Sequence, residues 1–206
     1  PTNGATAVSI FEQPDWYFSE AVRLSTAITN VMALTNDAGD TIAFSVTQFS
    51  SQYRVNPTKT LRPGATFTNI LYAGITDSAT NALVDTNGMT VPPEGWPVVF
   101  RTAEIFEQWP TNNTLLVAGQ KITARVRYER GLNASYWGFR FGTNAQSVLN
   151  VNQNVTNVAI QLTVPTNVGP MDFSVRISQS STFTRSWDQE PIALDIRSRD
   201  ADDDGD

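Results

Sequence analysis

Three observations predict an all-β chain of two consecutive β-sandwiches: side-chain alternation of period two, turn signals at short intervals, and a length of 206 residues. Alternation is clearest where Ile122, Ala124, Val126 and Tyr128 interleave with Thr123, Arg125 and Arg127, so that one set faces a core and the other faces water. The same pattern recurs in Trp137, Phe139 and Phe141 against Tyr136, Gly138 and Arg140. It appears again in Phe173, Val175 and Ile177 against Ser174, Arg176 and Ser178. Further strands are expected near 5 to 10, 14 to 18, 30 to 35, 41 to 49, 52 to 56, 66 to 74, 98 to 103, 158 to 164 and 191 to 197. Helical turns are expected only at Phe18 to Ser25 and Ser78 to Ala82, both too short to alter the class.

Asn36-Asp37-Ala38-Gly39-Asp40, Arg62-Pro63-Gly64, Ala118-Gly119-Gln120 and Val168-Gly169-Pro170 punctuate these runs as turns. Many short strands so spaced, at roughly 100 residues per unit, fit two tandem immunoglobulin-like β-sandwiches. Val98-Val99-Phe100-Arg101-Thr102 reads as a closing strand and Ile105-Phe106 as an opening one. The expected division is therefore 1–103, 104–198 and an Asp-rich tail at 199–206, with a short and stiff join. Val91 to Pro97, rich in Pro and Gly, is read as a loop inside the first domain. No internal repeat relates the halves, which are expected to be different kinds of sandwich.

The chain contains no cysteine and no histidine, which excludes disulfides, thiolate nucleophiles, Cys/His zinc sites and an imidazole base. What remains is carboxylate, Lys or Tyr chemistry, or hard cations held by oxygen. The net charge of −6 is unevenly spread, since five of the 20 acidic residues fall in the last seven positions and the other 15 face 14 basic ones. The folded part is close to neutral and carries no long basic tract, so no nucleic-acid partner is expected. No apolar run approaches the roughly 20 residues that span a bilayer, so no direct membrane insertion is expected. The start at Pro1, without a basic-then-apolar leader, fits a processed chain or an excised piece of one.

Several motifs of the first half occur in a telling order. Pro1-Thr2-Asn3-Gly4-Ala5 is followed by Trp16-Tyr17-Phe18-Ser19-Glu20-Ala21-Val22, then Tyr53-Arg54-Val55-Asn56-Pro57 and Leu61-Arg62-Pro63-Gly64-Ala65-Thr66-Phe67. Gly74-Ile75-Thr76-Asp77-Ser78-Ala79-Thr80-Asn81-Ala82-Leu83 completes the series. This half resembles the bacterial Ig-like domain of S-layer and other cell-surface proteins, often repeated in large adhesins. The family's last motif carries glycine where Thr80 stands here, which puts the geometry of that turn in question. The resemblance implies that Glu20 and Asp77 hold backbone at turns. The second half resembles, more loosely, the TIG-type Ig domain through Leu116-Val117-Ala118-Gly119-Gln120-Lys121-Ile122, Phe141-Gly142 and Val164-Pro165 before Gly169.

In the tail, Asp200, Asp202, Asp204 and Asp206 follow the Asp-x-Asp-x-Asp-Gly spacing of calcium loops, with Gly205 permitting a sharp turn. The segment resembles the start of a thrombospondin type 3-like repeat, which implies calcium as the one cofactor. Without a distal bidentate carboxylate, a solvated acidic tail is the plainer reading of the residues themselves.

Among the carboxylates, Asp15, Glu20, Asp77, Asp85, Glu104, Glu107, Asp188 and Glu190 show no spacing that selects an acid/base pair, so no enzyme is expected. Of the aromatic residues, alternation puts Trp137 in a core, and Trp96 and Trp109 flank prolines near the join. Tyr136 and Trp187 are left as the candidates for stacking on a sugar face. Arg125, Arg127, Arg140 and Arg176 would form one outward basic stripe if their strands were neighbours in one sheet, able to hold an acidic glycan, a neighbouring molecule or the Asp tail. Asn112-Asn113-Thr114, Asn133-Ala134-Ser135 and Asn154-Val155-Thr156 match glycosylation acceptors, which arise by chance in so Asn/Thr-rich a chain. The expectation is a non-catalytic structural or adhesive module, extracellular or on the cell surface. Its partners would be neighbouring domains of the same protein or surface-assembly subunits. The alternative is a carbohydrate-binding module that takes polysaccharide.

Overall fold

A computed structural model describes residues 1–24 and 26–199. The described chain is almost entirely β and divides into two compact units, Pro1–Ala103 and Glu104–Asp206.

In the first unit one sheet has the order β1-β9-β7-β4, formed by β1 (Ala5–Val8), β9 (Trp96–Thr102), β7 (Thr66–Leu71) and β4 (Met32–Asn36). A second sheet runs β2 (Asp15–Tyr17), β6 (Gln52–Pro57) and β5 (Phe44–Phe49), while β3 (Val22–Leu24) pairs with β8 (Ile75–Asp77). Alternation decides which side chains go inward. Tyr53, Val55 and Pro57 of β6 are buried, as are Phe67, Asn69 and Leu71 of β7, with their neighbours on the outer side. The buried cluster of Met32, Leu34, Tyr53, Val55, Phe67 and Phe100 draws on both sheets, which makes the unit a sandwich. The single helix among the described residues, α1 (Ile28–Val31), is one turn long and uncapped, and buries only Val31. The helical turn expected at Phe18 to Ser25 is instead β3 over Val22–Leu24, because Val22 is buried and pairs with Asp77.

The turn at Arg62-Pro63-Gly64 pins the closing strand. Thr102, fully buried, donates its hydroxyl to the Arg62 carbonyl at 2.6 Å and accepts from the Ala65 N–H at 3.2 Å. Ahead of that strand, Gly95 at φ +82° accepts no side chain. A Cβ there would lie 2.5 Å from Ile70 Cγ2 and 2.9 Å from the Leu71 carbonyl oxygen.

The second unit opens with β10 (Ile105–Trp109), which pairs antiparallel with β12 (Lys121–Tyr128), and β12 in turn with β15 (Asn157–Thr163). The facing sheet has the order β11-β18-β16-β13-β14, formed by β11 (Thr114–Val117), β18 (Ile192–Arg197), β16 (Gly169–Ser178), β13 (Tyr136–Phe141) and β14 (Ser147–Asn150). A short β17 (Ser186–Asp188) is added on β16. Ile122, Ala124, Val126 and Tyr128 from one sheet meet Trp137, Phe139, Phe173, Val175 and Ile177 from the other in the buried core. The Tyr128 and Trp137 rings touch at a centroid distance of 4.8 Å. Burial pushes the Tyr128 phenol up to about 12, and its hydroxyl has no hydrogen-bond partner among the described residues.

Both units share one device. In the first, β1 lies parallel to the closing strand β9, with Ala5 opposite Phe100 and Val8 opposite Thr102. In the second, β11 lies parallel to the closing strand β18 from Thr114 opposite Leu194 to Val117 opposite Arg197. Parallel partners run the same way, so the chain enters each unit at one pole and leaves it at the other.

Candidate binding surfaces

The four arginines expected to form one stripe are divided by the fold. Arg125 and Arg127 project from β12, whereas Arg140 on β13 and Arg176 on β16 belong to the opposite sheet. Alternation fixed each of them as outward-facing but carries no information on which sheet receives the strand. Arg176 is also occupied, since its Nε lies 2.6 Å from the Asp188 carboxylate and 3.1 Å from Ser186, with the guanidinium over the Phe183 ring. Arg140 is exposed opposite Ser174.

Tyr136 and Trp187 are both half-buried and do not make one platform. Tyr136 pairs across the ladder with Ser178, while Trp187 pairs with Ile177, itself opposite Trp137. Side chains directly opposite one another share a face, so Trp187 lies on the core side of the sheet edge and Tyr136 on the other side. Asp200, Asp202, Asp204 and Asp206 lie outside the described residues. Among those described, no group of three or more acidic side chains is placed to hold a metal ion.

Of the carboxylates weighed as acids and bases, Asp77 and Asp85 serve the backbone, and Asp15 and Asp188 pair with arginine. Asp77 accepts from the Ala79 and Asn81 N–H groups at 2.8 and 2.7 Å and from the Asn81 side chain at 2.7 Å, and these bonds hold its carboxyl below the ordinary range. Asp85 repeats the motif on Asn87 and Met89 at 2.8 and 2.9 Å, with the same consequence. Burial pushes the Asp15 carboxyl up. The two-pronged contact from Arg54 at 2.9 and 3.1 Å, with help from Gln52 and Tyr17, outweighs that burial and leaves it lowered. Beside these turns in the first unit, Trp16, Tyr17, Trp96, Leu83 and Thr86 line a recess of about 530 Å³.

A surface of which the sequence singled out only Arg125 and Arg127 lies on the outward side of the β10-β12-β15 sheet. Trp109 stands opposite Arg125, which stands opposite Ala159. In the next outward row Glu107 stands opposite Arg127, which stands opposite Asn157. A furrow of about 450 Å³ crosses the three strands over Glu107, Thr123, Arg125, Arg127, Asn157 and Ala159. It continues toward Trp109 in a second recess of about 410 Å³. The register irregularity between Ile105 and Glu107 is what puts Trp109 there. Strict alternation from the inward Ile105 would point Trp109 inward, and one extra residue in the strand reverses it.

Comparison with known proteins places the first unit in a family. No curated protein matches the chain. The N-terminal part of the bacterial S-layer protein SbsC is similar in structure at 13% identity and a TM-score of 0.37, over 95% of this chain and 43% of that one. The fibronectin(III)-like modules of Clostridium thermocellum CbhA are similar at 9% identity and a TM-score of 0.34, over 98% and 94%. The chain thus spans less than half of the S-layer part it resembles. Residues 1–102 match the family described as bacterial Ig-like domain, and the first unit of this chain belongs to that family.

Proposed function

We propose that the chain is a non-catalytic, load-bearing module of a bacterial extracellular or cell-surface protein, acting as a spacer or assembly unit between neighbouring domains or subunits. The observation that carries this reading is the parallel pairing of an early strand with the closing strand in both units. Tension applied through the ends of such a unit shears the ladder, so its hydrogen bonds resist together. Tension across a hairpin opens them one after another. Backbone bonds extend each clamp beyond its strands: Gly4 N–H donates to the Val99 carbonyl at 2.7 Å and Ala103 N–H to Val8 at 2.8 Å. In the second unit Asn113 donates to Ala193 at 2.7 Å and Ala118 to Arg197 at 2.8 Å. Opposite poles for the incoming and outgoing chain also give each unit its full length as reach. No helix among the described residues is long and apolar enough to cross a membrane.

Single-molecule stretching tests the proposal by pulling the same chain in two geometries. Force applied through the chain ends is expected to give two high-force ruptures. Force applied across the β5–β6 hairpin, through handles at Phe44 and Pro57, is expected to open the first unit at clearly lower force. Equal rupture forces in the two geometries refute the load-bearing reading.

A further inference from the structure

The outward face of the β10-β12-β15 sheet goes beyond a mechanical role. We infer that it is a binding platform for an acidic polysaccharide, a glycan carrying carboxylates along its backbone, with Trp109 stacking on a sugar ring and Arg125 and Arg127 holding the acid groups. Charge complementarity is the first argument. The chain as a whole is acidic at −6, yet this face gathers Lys121, Arg125 and Arg127 as outward residues of one strand against the single carboxylate of Glu107. Neither Arg125 nor Arg127 is ion-paired among the described residues, unlike Arg54, Arg176 and Arg197, which have Asp15, Asp188 and Asp195 within 4.0 Å. A guanidinium with no partner offers a planar fork that matches a uronic carboxylate.

Shape is the second argument. From Trp109 on β10 to Ala159 on β15 is two strand spacings, about 10 Å, a span that a disaccharide covers. The small side chain of Ala159 leaves room beside Arg125 on one flank, and the half-buried indole of Trp109 forms the other. Thr123 and Asn157 border the furrow with hydroxyl and amide groups that both donate and accept, the pairing that sugar hydroxyls require. An aromatic ring, paired cations and neutral polar groups along one furrow suit a carboxylated sugar better than a neutral one. Three cations are too few for the phosphate track that nucleic acid requires.

The test uses the full chain in titration calorimetry against polygalacturonate, with a neutral glucan and a single-stranded DNA oligomer at the same ionic strength. Saturable binding to the polyuronate alone is expected. Arg125→Glu and Trp109→Ala are each expected to weaken it at least about tenfold. Arg125 is exposed, so Arg125→Glu keeps the proposal testable if Trp109→Ala fails to fold. No binding to polygalacturonate, binding unchanged in folded Arg125→Glu, or equal binding of the glucan or of DNA overturns the inference. None of these outcomes bears on the rupture forces that test the load-bearing proposal.

Discussion

Thr80 is the position where replacing one residue is expected to strengthen the fold. It holds φ at 70°, a left-handed conformation that a β-branched residue strongly disfavours. The conformation is imposed by Asp77, whose carboxylate grips the N–H groups on both sides of Thr80, at Ala79 and Asn81. Thr80 N–H itself bonds to the Asp77 carbonyl at 3.2 Å. A left-handed L-residue costs about 1–2 kcal/mol, and Thr80→Gly removes that cost. Glycine also frees the unfolded chain, which returns about 0.4–1 kcal/mol. The exposed Thr80 hydroxyl bonds only to the adjacent Ala79 carbonyl, a contact of little worth to the fold. The net gain expected is about 0.5–1 kcal/mol. That corresponds to a rise of roughly 2–6 °C in the melting of the first unit. Scanning calorimetry on the full chain reads the shift, and hydrogen exchange at the Phe67 and Tyr53 amides assigns it to the first unit. Thr80→Ala, which loses the β-branch but keeps a Cβ, is expected to gain less. A Thr80→Gly chain that melts at or below the parent temperature refutes the reasoning.

Gly95→Ala is expected to cost the first unit about 2–4 kcal/mol, since a positive φ and a clash with the Leu71 carbonyl act together; chemical denaturation measures it. Tyr128→Phe removes a buried hydroxyl that lacks a partner, so the second unit is expected to be as stable as the parent or more so near neutral pH. The same variant tests the raised phenol: in the parent, the unfolded chain ionises near pH 10 before the folded one, so stability present below that pH is lost as pH rises toward about 12. Melting curves taken across this window should flatten in Tyr128→Phe, and an unchanged slope rules out the assignment. For the tail, calcium is expected to bind weakly, in about the millimolar range, with Asp202→Asn and Asp204→Asn abolishing the calorimetric heat; a parent chain that shows no heat removes calcium from the account.

What was legible in the sequence, and what was not, follows from the range over which each signal acts. Ile122 to Tyr128, Tyr136 to Phe141 and Phe173 to Ser178 could be read correctly because each strand is buried on one face and long enough to show a period. Asp77 and Thr80 could be read because a turn is built from residues adjacent in the chain. Short elements failed for the same reason: β3 and α1 are three and four residues long, too brief for either periodicity to appear.

The binding face shows the harder limit. Sheet membership is settled by partners far along the chain, as when Arg125 pairs with Ala159 while Arg140 pairs with Ser174, so four outward arginines gave no hint that they separate. Trp109 was hidden by a single register slip after Ile105, a local event whose effect shows only once β12 is laid beside β10. Deleting Phe106, the exposed extra residue inside that irregularity, leaves Trp109 three places after the inward Ile105, so the strand is expected to regain strict alternation with the indole still outward opposite Arg125. If the slip is one extra residue and nothing more, acrylamide should reach the Trp109 indole in the deletion variant as in the parent, and polyuronate binding should be kept. An indole shielded from acrylamide in the deletion variant, with binding lost, would refute the assignment of Phe106 as that extra residue.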